Sequence, residues 1–237
     1  MPVYFASDMH LRLDRPDRAR RLARWVDSLN ADDTLYLVGD ICDFWFASRQ
    51  LRPGPLACEG LRSLASFREK GGRLTILTGN HDLWLGPFYE KALGATIAVE
   101  PTIVEAYGHR VSLAHGHRTG GREPWKAGME SRAFLAAFAR LPSLLANRLD
   151  KLLHEKNDRA RAQDEARLQA IYRRSLLTAD PAIDLAVFGH VHTPLDDPSV
   201  RPRFVILGGW HDATCYLRLD NQGASHVVEL ATRTVLA

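Results

Sequence analysis

Five short clusters along the chain hold side chains that could do chemistry: Asp8-Met9-His10, Gly39-Asp40, Gly79-Asn80-His81-Asp82, His115-Gly116-His117 and Gly189-His190-Val191-His192. Their donors are all nitrogen or oxygen, a set suited to hard or borderline divalent ions such as Mn, Fe, Zn or Co. Cys42, Cys58 and Cys215 are scattered and form no CxxC, which argues against a thiolate zinc site and a disulfide framework. Asp8, His10, Asp40, Asn80, His81, His115, His190 and His192 are too many donors for one tetrahedral ion, and suit two ions sharing a bridging carboxylate. Asp8 and His10 are two apart, which in extended backbone turns both side chains to one side. His190 and His192 repeat that spacing, so each could serve one ion. Gly39, Gly79 and Gly189 precede ligands, where a missing Cβ lets a strand end approach a metal. A dimetal centre lowers the pKa of a bridging water and clamps phosphoryl oxygens during in-line attack. No GxSxG elbow or CxxxxxR loop offers another nucleophile. Singly, each cluster has an ordinary explanation: a strand-end turn, an Asn capping its own backbone, a satisfied polar histidine. Turns do not account for all of them together, in this order, each after an apolar strand.

The elements that must position these residues are readable around them. Apolar runs at 3–7, 34–38, 74–78, 110–114, 184–188 and 203–207 each end in a polar cluster, as buried strands bounded by Gly should. Helical spacing at 17–29 puts Leu22, Trp25, Val26 and Leu29 on one face, and 56–70 is similar. Strand alternating with helix predicts an α/β layered fold, with ligands at the carboxyl ends of the strands. Residues 122–178 break the alternation with an apolar helical stretch followed by a charged one. Residues 122–176 carry 12 Lys/Arg against 7 Asp/Glu, an excess of 12 − 7 = +5 against +3 for the whole chain. The segment reads as a helical cap inserted at 122–178 into a single domain spanning 1–237.

Composition closes off other classes. The chain has 237 residues, 46% hydrophobic and 25% charged, so it is neither disordered nor collagenous. No apolar run approaches the roughly 18 to 20 residues a bilayer span needs. The start MPVYFASDMH lacks a basic region and a long apolar region, so a cytoplasmic location is expected. A net charge of +3 says little about partners. Nucleic acid is disfavoured, since no aromatic stacking platform accompanies the basic segment.

The order DxH, GD, GNHD, HG, GHxH, from Asp8 to His192, resembles the calcineurin-like dimetal phosphoesterases. The resemblance implies two packed mixed β-sheets flanked by helices, with the metals at strand ends. It implies one ion on Asp8, His10, Asp40 and His192 and another on Asp40, Asn80, His115 and His190. It makes His81 a transition-state stabiliser or general acid and Asp82 the carboxylate that orients it. Within that superfamily, VYFASDMHL, DTLYLVGDICDFWF (with Asp43 and Trp45 after Asp40) and GGWHD are most similar to the UDP-2,3-diacylglucosamine hydrolases of lipid A synthesis. That likeness implies cleavage of a pyrophosphate to UMP and a diacylglucosamine 1-phosphate, two Mn²⁺ ions, a nucleotide-sugar lipid substrate and no obligate protein partner. It also implies peripheral attachment to the cytoplasmic face of the inner membrane. Apolar cap residues (Phe134, Leu135, Phe138, Leu141, Leu144, Leu145, Leu149, Leu152 and Leu153) would wall an acyl pocket or simply bury the cap. His81 stands where that family usually has Arg, His117 where it has Asp, and its polar cap pattern is not recognisable here. Another nucleotide-diphosphate conjugate or a phosphodiester is the alternative substrate, and a non-catalytic scaffold should lack the complete ligand set. His211 is expected near the substrate or in a strand-end turn. His109, His154 and His226 read as surface or structural and Trp210 as core, while Tyr172, Arg148 and Lys151 are weighed as cap contacts.

Overall fold

The computed structural model describes residues 1–12, 15–43, 58–121, 128, 131–141 and 164–230. The first six strands are β1 (Val3–Ala6), β2 (Thr34–Val38), β3 (Arg73–Leu77), β4 (Thr96–Ala98), β5 (Thr102–Ala106) and β6 (His109–Ala114). The remaining five are β7 (Leu185–Phe188), β8 (Leu195–Asp197), β9 (Arg203–Ile206), β10 (Ala213–Asp220) and β11 (Gly223–Leu230). They form a six-stranded sheet ordered β11-β10-β1-β2-β3-β4 and a five-stranded sheet ordered β5-β6-β7-β9-β8. β1 to β4 run parallel, as do β6, β7 and β9, while β10 and β11 in one sheet and β5 and β8 in the other join antiparallel. This bears out the expected pair of mixed sheets.

Period-two alternation builds the layers. In β1, Val3 and Phe5 face the second sheet, joining Val38, Leu113, Val187, Val205 and Leu217 in the core between the sheets. Tyr4 and Ala6 face the other way, onto α1 (Pro16–Asp27), α2 (Glu59–Glu69) and α3 (Gly86–Leu93). β7 lies between two strands and under helix on one face and sheet on the other, so all four of its residues are buried. α1 starts with Pro at its first turn and buries Leu22, Trp25 and Val26. The rings of Trp25 and Trp210 meet edge-on at 5.2 Å, and the Trp210 indole donates to the Cys215 carbonyl at 2.8 Å. Trp210 is thus the core residue expected. Its backbone N–H also donates to the Asp8 carbonyl at 3.1 Å, which ties this core to the end of β1.

Of the expected cap, the described residues hold α4 (Arg132–Arg140) and α5 (164–176). α5 lies on the outer face of the second sheet, where Tyr172 stacks on Phe188 at 4.6 Å beside Phe204 and Ile206. Leu144, Leu145, Arg148, Leu149, Lys151, Leu152, Leu153 and His154 lie outside the described residues, as does Trp45. No helix among the described residues is long and apolar enough to cross a membrane.

Five strands (β4, β5, β8, β10 and β11) and α3 were not expected from the sequence. β4 and β8 are three-residue edge strands, and β5 and β11 are edge strands with no fully buried residue. β10 is mostly buried, but Thr214 and Arg218 interrupt its apolar residues, and none of the five is an unbroken apolar run ending in a polar cluster, the signal that picked out the other strands.

Candidate metal centre

The carboxyl ends of β1, β2 and β3 in one sheet meet those of β6 and β7 in the other. Each end leads into one of the polar clusters. Backbone pairing continues past the strands: Asp8 N–H bonds Gly39 O at 3.1 Å, His10 N–H bonds Asp40 O at 3.0 Å and Leu11 N–H bonds Ile41 O at 2.8 Å. Asp8 and His10 do converge, but not through extended backbone. Asp8 (φ 56°), His10 (φ 45°), Asp40 (φ 51°) and His190 (φ 66°) all occupy the left-handed region. Non-glycine residues enter it at a cost and persist there when the surroundings hold them, commonly at functional sites. The glycines serve close approach. A Cβ on Gly39 would overlap the His115 ring, and one on Gly79 would overlap the Asp40 carboxylate. Only Gly39 of the three expected glycines uses positive φ, at 86°.

The donor atoms gather into overlapping groups. Asp8, His10 and His192 form one, and Asp40, His115 and His190 another; His10, Asp40 and His81 form a third that overlaps the first two. His10 Nε2 lies 3.2 Å from His192 Nε2, and these atoms are 3.7 and 3.5 Å from Asp8 Oδ1. Asp40 Oδ2 is 3.4 Å from His115 Nε2 and 3.8 Å from His10 Nε2, so this carboxylate reaches toward both groups. Asn80 Oδ1 is 3.2 Å from His115 Nε2. Asp8 Oδ1 is buried with no hydrogen-bond partner. A buried, partnerless carboxylate oxygen aimed among imidazole nitrogens is what a cation site requires. The donor set fits two divalent ions.

Burial, then the nearby His81, lowers His10 to about 4, and burial, then His115, lowers His190 to about 3. Both rings are therefore neutral near pH 7, as metal ligands must be. His115 moves the other way. Burial opposes its cation, but Asp40, Asp8 and Glu100 outweigh it and raise the ring to about 10. Burial alone would raise Asp40; the imidazoles of His115 and His81 hold it far below the ordinary carboxylate range.

His81 sits over the site. Its backbone N–H donates to Asp40 Oδ1 at 2.9 Å, and its ring meets His10 edge-on at 4.8 Å. The expectation that Asp82 orients it is corrected here. Asp82 is buried, and its oxygens accept from the backbone N–H of Gly79 (2.7 Å), Ile41 (2.8 Å) and Asp40 (3.3 Å) and from the Tyr89 hydroxyl (2.9 Å). It fixes the Asp40 and Gly79 loops. The carboxylate set against the ring is Asp43, whose Oδ1 is 3.5 Å from His81 Nδ1 and whose Oδ2 is 3.5 Å from Arg12. Sequence reasoning noted Asp43 only as part of a likeness; its place three residues after Asp40 was the available signal. Glu100, also missed, accepts from the backbone N–H of His115 (2.7 Å) and Gly116 (3.2 Å) and lies 3.1 Å from the His117 ring.

His211 packs its ring 4.6 Å from His192 and 5.6 Å from His10, so it borders the site. His226 is structural, bonded to the Leu207 carbonyl at 3.1 Å. Tyr172, weighed as a cap contact, is wholly buried between α5 and the second sheet. A cleft of about 1320 Å³, lined by Arg173, Leu177, Asp180, Arg201 and Pro202 among others, opens at the amino ends of β7 and β9 and includes none of these donors.

Comparison with known proteins follows the same lines. The sequence profile of the calcineurin-like phosphoesterase family matches residues 1–194. A UDP-2,3-diacylglucosamine hydrolase of Hahella chejuensis is 27% identical over 94% of this chain and 95% of its own length. One of Aeromonas hydrophila is 29% identical over 90% and 92%. Among solved structures, an archaeal phosphodiesterase superposes with a TM-score of 0.51 at 14% identity, covering 96% of this chain and 99% of its own. That likeness supports the fold.

Two outcomes are expected. Asp40→Ala removes the carboxylate that reaches both groups and should lose both ions; elemental analysis finding two ions per chain would end that assignment. The second concerns protons. His115 at about 10 is protonated below that pH in chelated protein, and ligation needs the neutral ring. Ion binding at pH 7 to 8 should therefore release about one proton from this site, and affinity should fall about tenfold per unit drop in pH. Calorimetry in buffers of different ionisation enthalpy measures the release; none at pH 7 would contradict it.

Proposed function

The chain belongs to the calcineurin-like phosphoesterase family, and from that premise we propose that it is a dimetal hydrolase cleaving the pyrophosphate of UDP-2,3-diacylglucosamine to UMP and 2,3-diacylglucosamine 1-phosphate. The observation that carries the dimetal chemistry is the pair of donor groups with Asp40 reaching both. The substrate rests on relatives bearing that activity in their names, matched over nearly their whole lengths. One ion is assigned to Asp8, His10, Asp40 and His192, the other to Asp40, Asn80, His115 and His190. Mn²⁺ is the proposed metal, in keeping with an all nitrogen and oxygen donor set. Bound there, two divalent ions supply Lewis acidity toward the phosphoryl oxygens and a nucleophile from water at neutral pH.

The protein's own groups do the rest. Asp43 sits on the Nδ1 side of His81, so Nε2 is the atom turned to donate toward a phosphoryl or leaving oxygen. Arg12, on the other Asp43 oxygen, adds positive charge at one remove. In the overall reaction one water is added across the anhydride: its oxygen bonds one phosphorus, the P–O bond breaks, and the departing phosphate takes up the negative charge. The segment 122–178 is proposed as a cap within one domain spanning 1–237, its apolar residues lining the path of the acyl chains. Its basic excess suits anionic phosphates or a peripheral position on the cytoplasmic face of the inner membrane.

A second reading is another nucleotide-diphosphate conjugate or a phosphodiester. His81 and His117 favour it, because each replaces a residue usual among enzymes acting on the lipid.

Protein loaded with Mn²⁺ should release UMP from UDP-2,3-diacylglucosamine, and EDTA should abolish the release. Turnover of an aryl phosphodiester with no UMP from the lipid would shift the assignment to the second reading. His81→Ala should keep both ions and lose about 100-fold or more in rate. Asp43→Asn should lose about 10- to 100-fold, with little further loss when combined with His81→Ala, because the two act as a unit. Additive losses would separate Asp43 from His81.

A further inference from the structure

α5 touches the loops that follow both β6 and β7. On α5, Glu165 Oε1 accepts from the backbone N–H of His192 at 3.3 Å and Oε2 from the hydroxyl of Thr193. Two turns on, Tyr172 presses so close to Gly116 that a Cβ there would overlap its hydroxyl, and Gly116 has φ 99°. The helix is also held from below: Tyr172 stacks on Phe188, and Arg173 pairs with Asp197 at 2.7 Å and lies over the Phe204 ring. Both carboxylate oxygens of Glu165 thus go to the loop that carries His190 and His192.

We propose that Glu165 is a positioning residue for the metal centre: from the return arm of the inserted segment it fixes the His192–Thr193 backbone, and so the direction of the His192 ring. The proposal rests on the reading of His192 as a ligand. The argument is geometric. Among the described residues the His192 ring meets groups of the site itself: Asp8 and His10 at its Nε2, and the His10 and His211 rings in packing. Its approach is therefore set by the backbone, and Glu165 supplies a charged acceptor for that backbone N–H. A carboxylate bonded to an amide N–H is stronger than a neutral pair, so the loop's position is tied to the helix rather than left to solvent. The inserted segment would then be coupled to the ions.

The experiment uses the full chain as Glu165→Ala, Glu165→Gln and Thr193→Val. Each is freed of metal, its thermal unfolding recorded, then titrated with Mn²⁺ by calorimetry and assayed for kcat and KM on an aryl phosphodiester. Glu165→Ala should weaken Mn²⁺ binding about 10- to 100-fold, the range for groups that orient metal ligands, with kcat falling more than KM rises. The metal-free unfolding temperature should stay near that of the parent. Glu165→Gln keeps an oxygen for the His192 N–H and an amide for the Thr193 hydroxyl, and should restore most of the affinity. Thr193→Val, which removes one hydroxyl only, should weaken binding about 2- to 10-fold. Unchanged Mn²⁺ affinity in Glu165→Ala would overturn the proposal, as would a loss matched by an equal fall in metal-free stability. A parent protein that binds no Mn²⁺ would instead overturn the reading on which it rests.

Discussion

The structure is organised around a site that is electrostatically incomplete without cations. Asp8 and Asp40 are buried, and the ring nitrogens of His10, His115 and His192 are turned toward them within 4 Å. Carboxylates removed from water are costly unless positive charge faces them. Imidazole lone pairs meeting at 3.2 Å, as in His10 and His192, repel unless a proton or an ion lies between. The raised pKa of His115 expresses the same demand: Asp40, Asp8 and Glu100 favour positive charge at this ring strongly enough to outweigh its burial. Two divalent ions would answer it at once, and the donor groups lie close enough together to hold them.

Holding that geometry costs backbone energy. Four of the proposed ligand residues sit at positive φ, each at about 1–3 kcal/mol. The compensation is a set of carboxylate oxygens that face the backbone. Asp82 accepts the amides around Asp40 and Gly79, Glu100 those of His115 and Gly116, Glu165 that of His192, and Asp8 Oδ2 that of His190. Charged acceptors make such bonds stronger than neutral ones. The sheet ends supply approximate convergence and these carboxylates the final placement. The Trp210 amide on the Asp8 carbonyl joins the arrangement to the tryptophan core under α1.

Much of this was legible because strand ends and chemistry coincide. A buried strand is a short apolar run, and a ligand at its carboxyl end breaks the run with a polar residue, so β1, β2, β3, β6 and β7 announced themselves together with Asp8, Asp40, Asn80, His115 and His190. Edge strands such as β4 and β8 carry no ligand and little apolar patterning, and left no mark. The carboxylates that serve the backbone were harder. Asp82 stands beside His81 in sequence, and adjacency suggested contact; in the fold its side chain turns inward to the Asp40 and Gly79 loops and to Tyr89 of α3, and Asp43 from the neighbouring strand end takes its place. Glu100 and Glu165 act on residues 15 and 27 positions away, a relation no local pattern expresses.

The remaining question of substrate turns on what His81 contributes. Arginine at that position would offer charge and a fixed fork of donors, and no proton to give. Histidine beside Asp43 offers charge and a transferable proton. A phosphoanhydride expels a phosphate, which leaves well as an anion and needs charge stabilisation more than protonation. A phosphodiester expels an alkoxide, a poor leaving group that gains most from a general acid. The His81–Asp43 pair can serve either bond, but a site kept solely for the anhydride has less use for the proton. If the rate on the lipid pyrophosphate is insensitive to the protonation of His81 while that on a phosphodiester is not, the imidazole acts on the anhydride through charge alone. The inserted segment, not the acid, would then set the preference for the lipid.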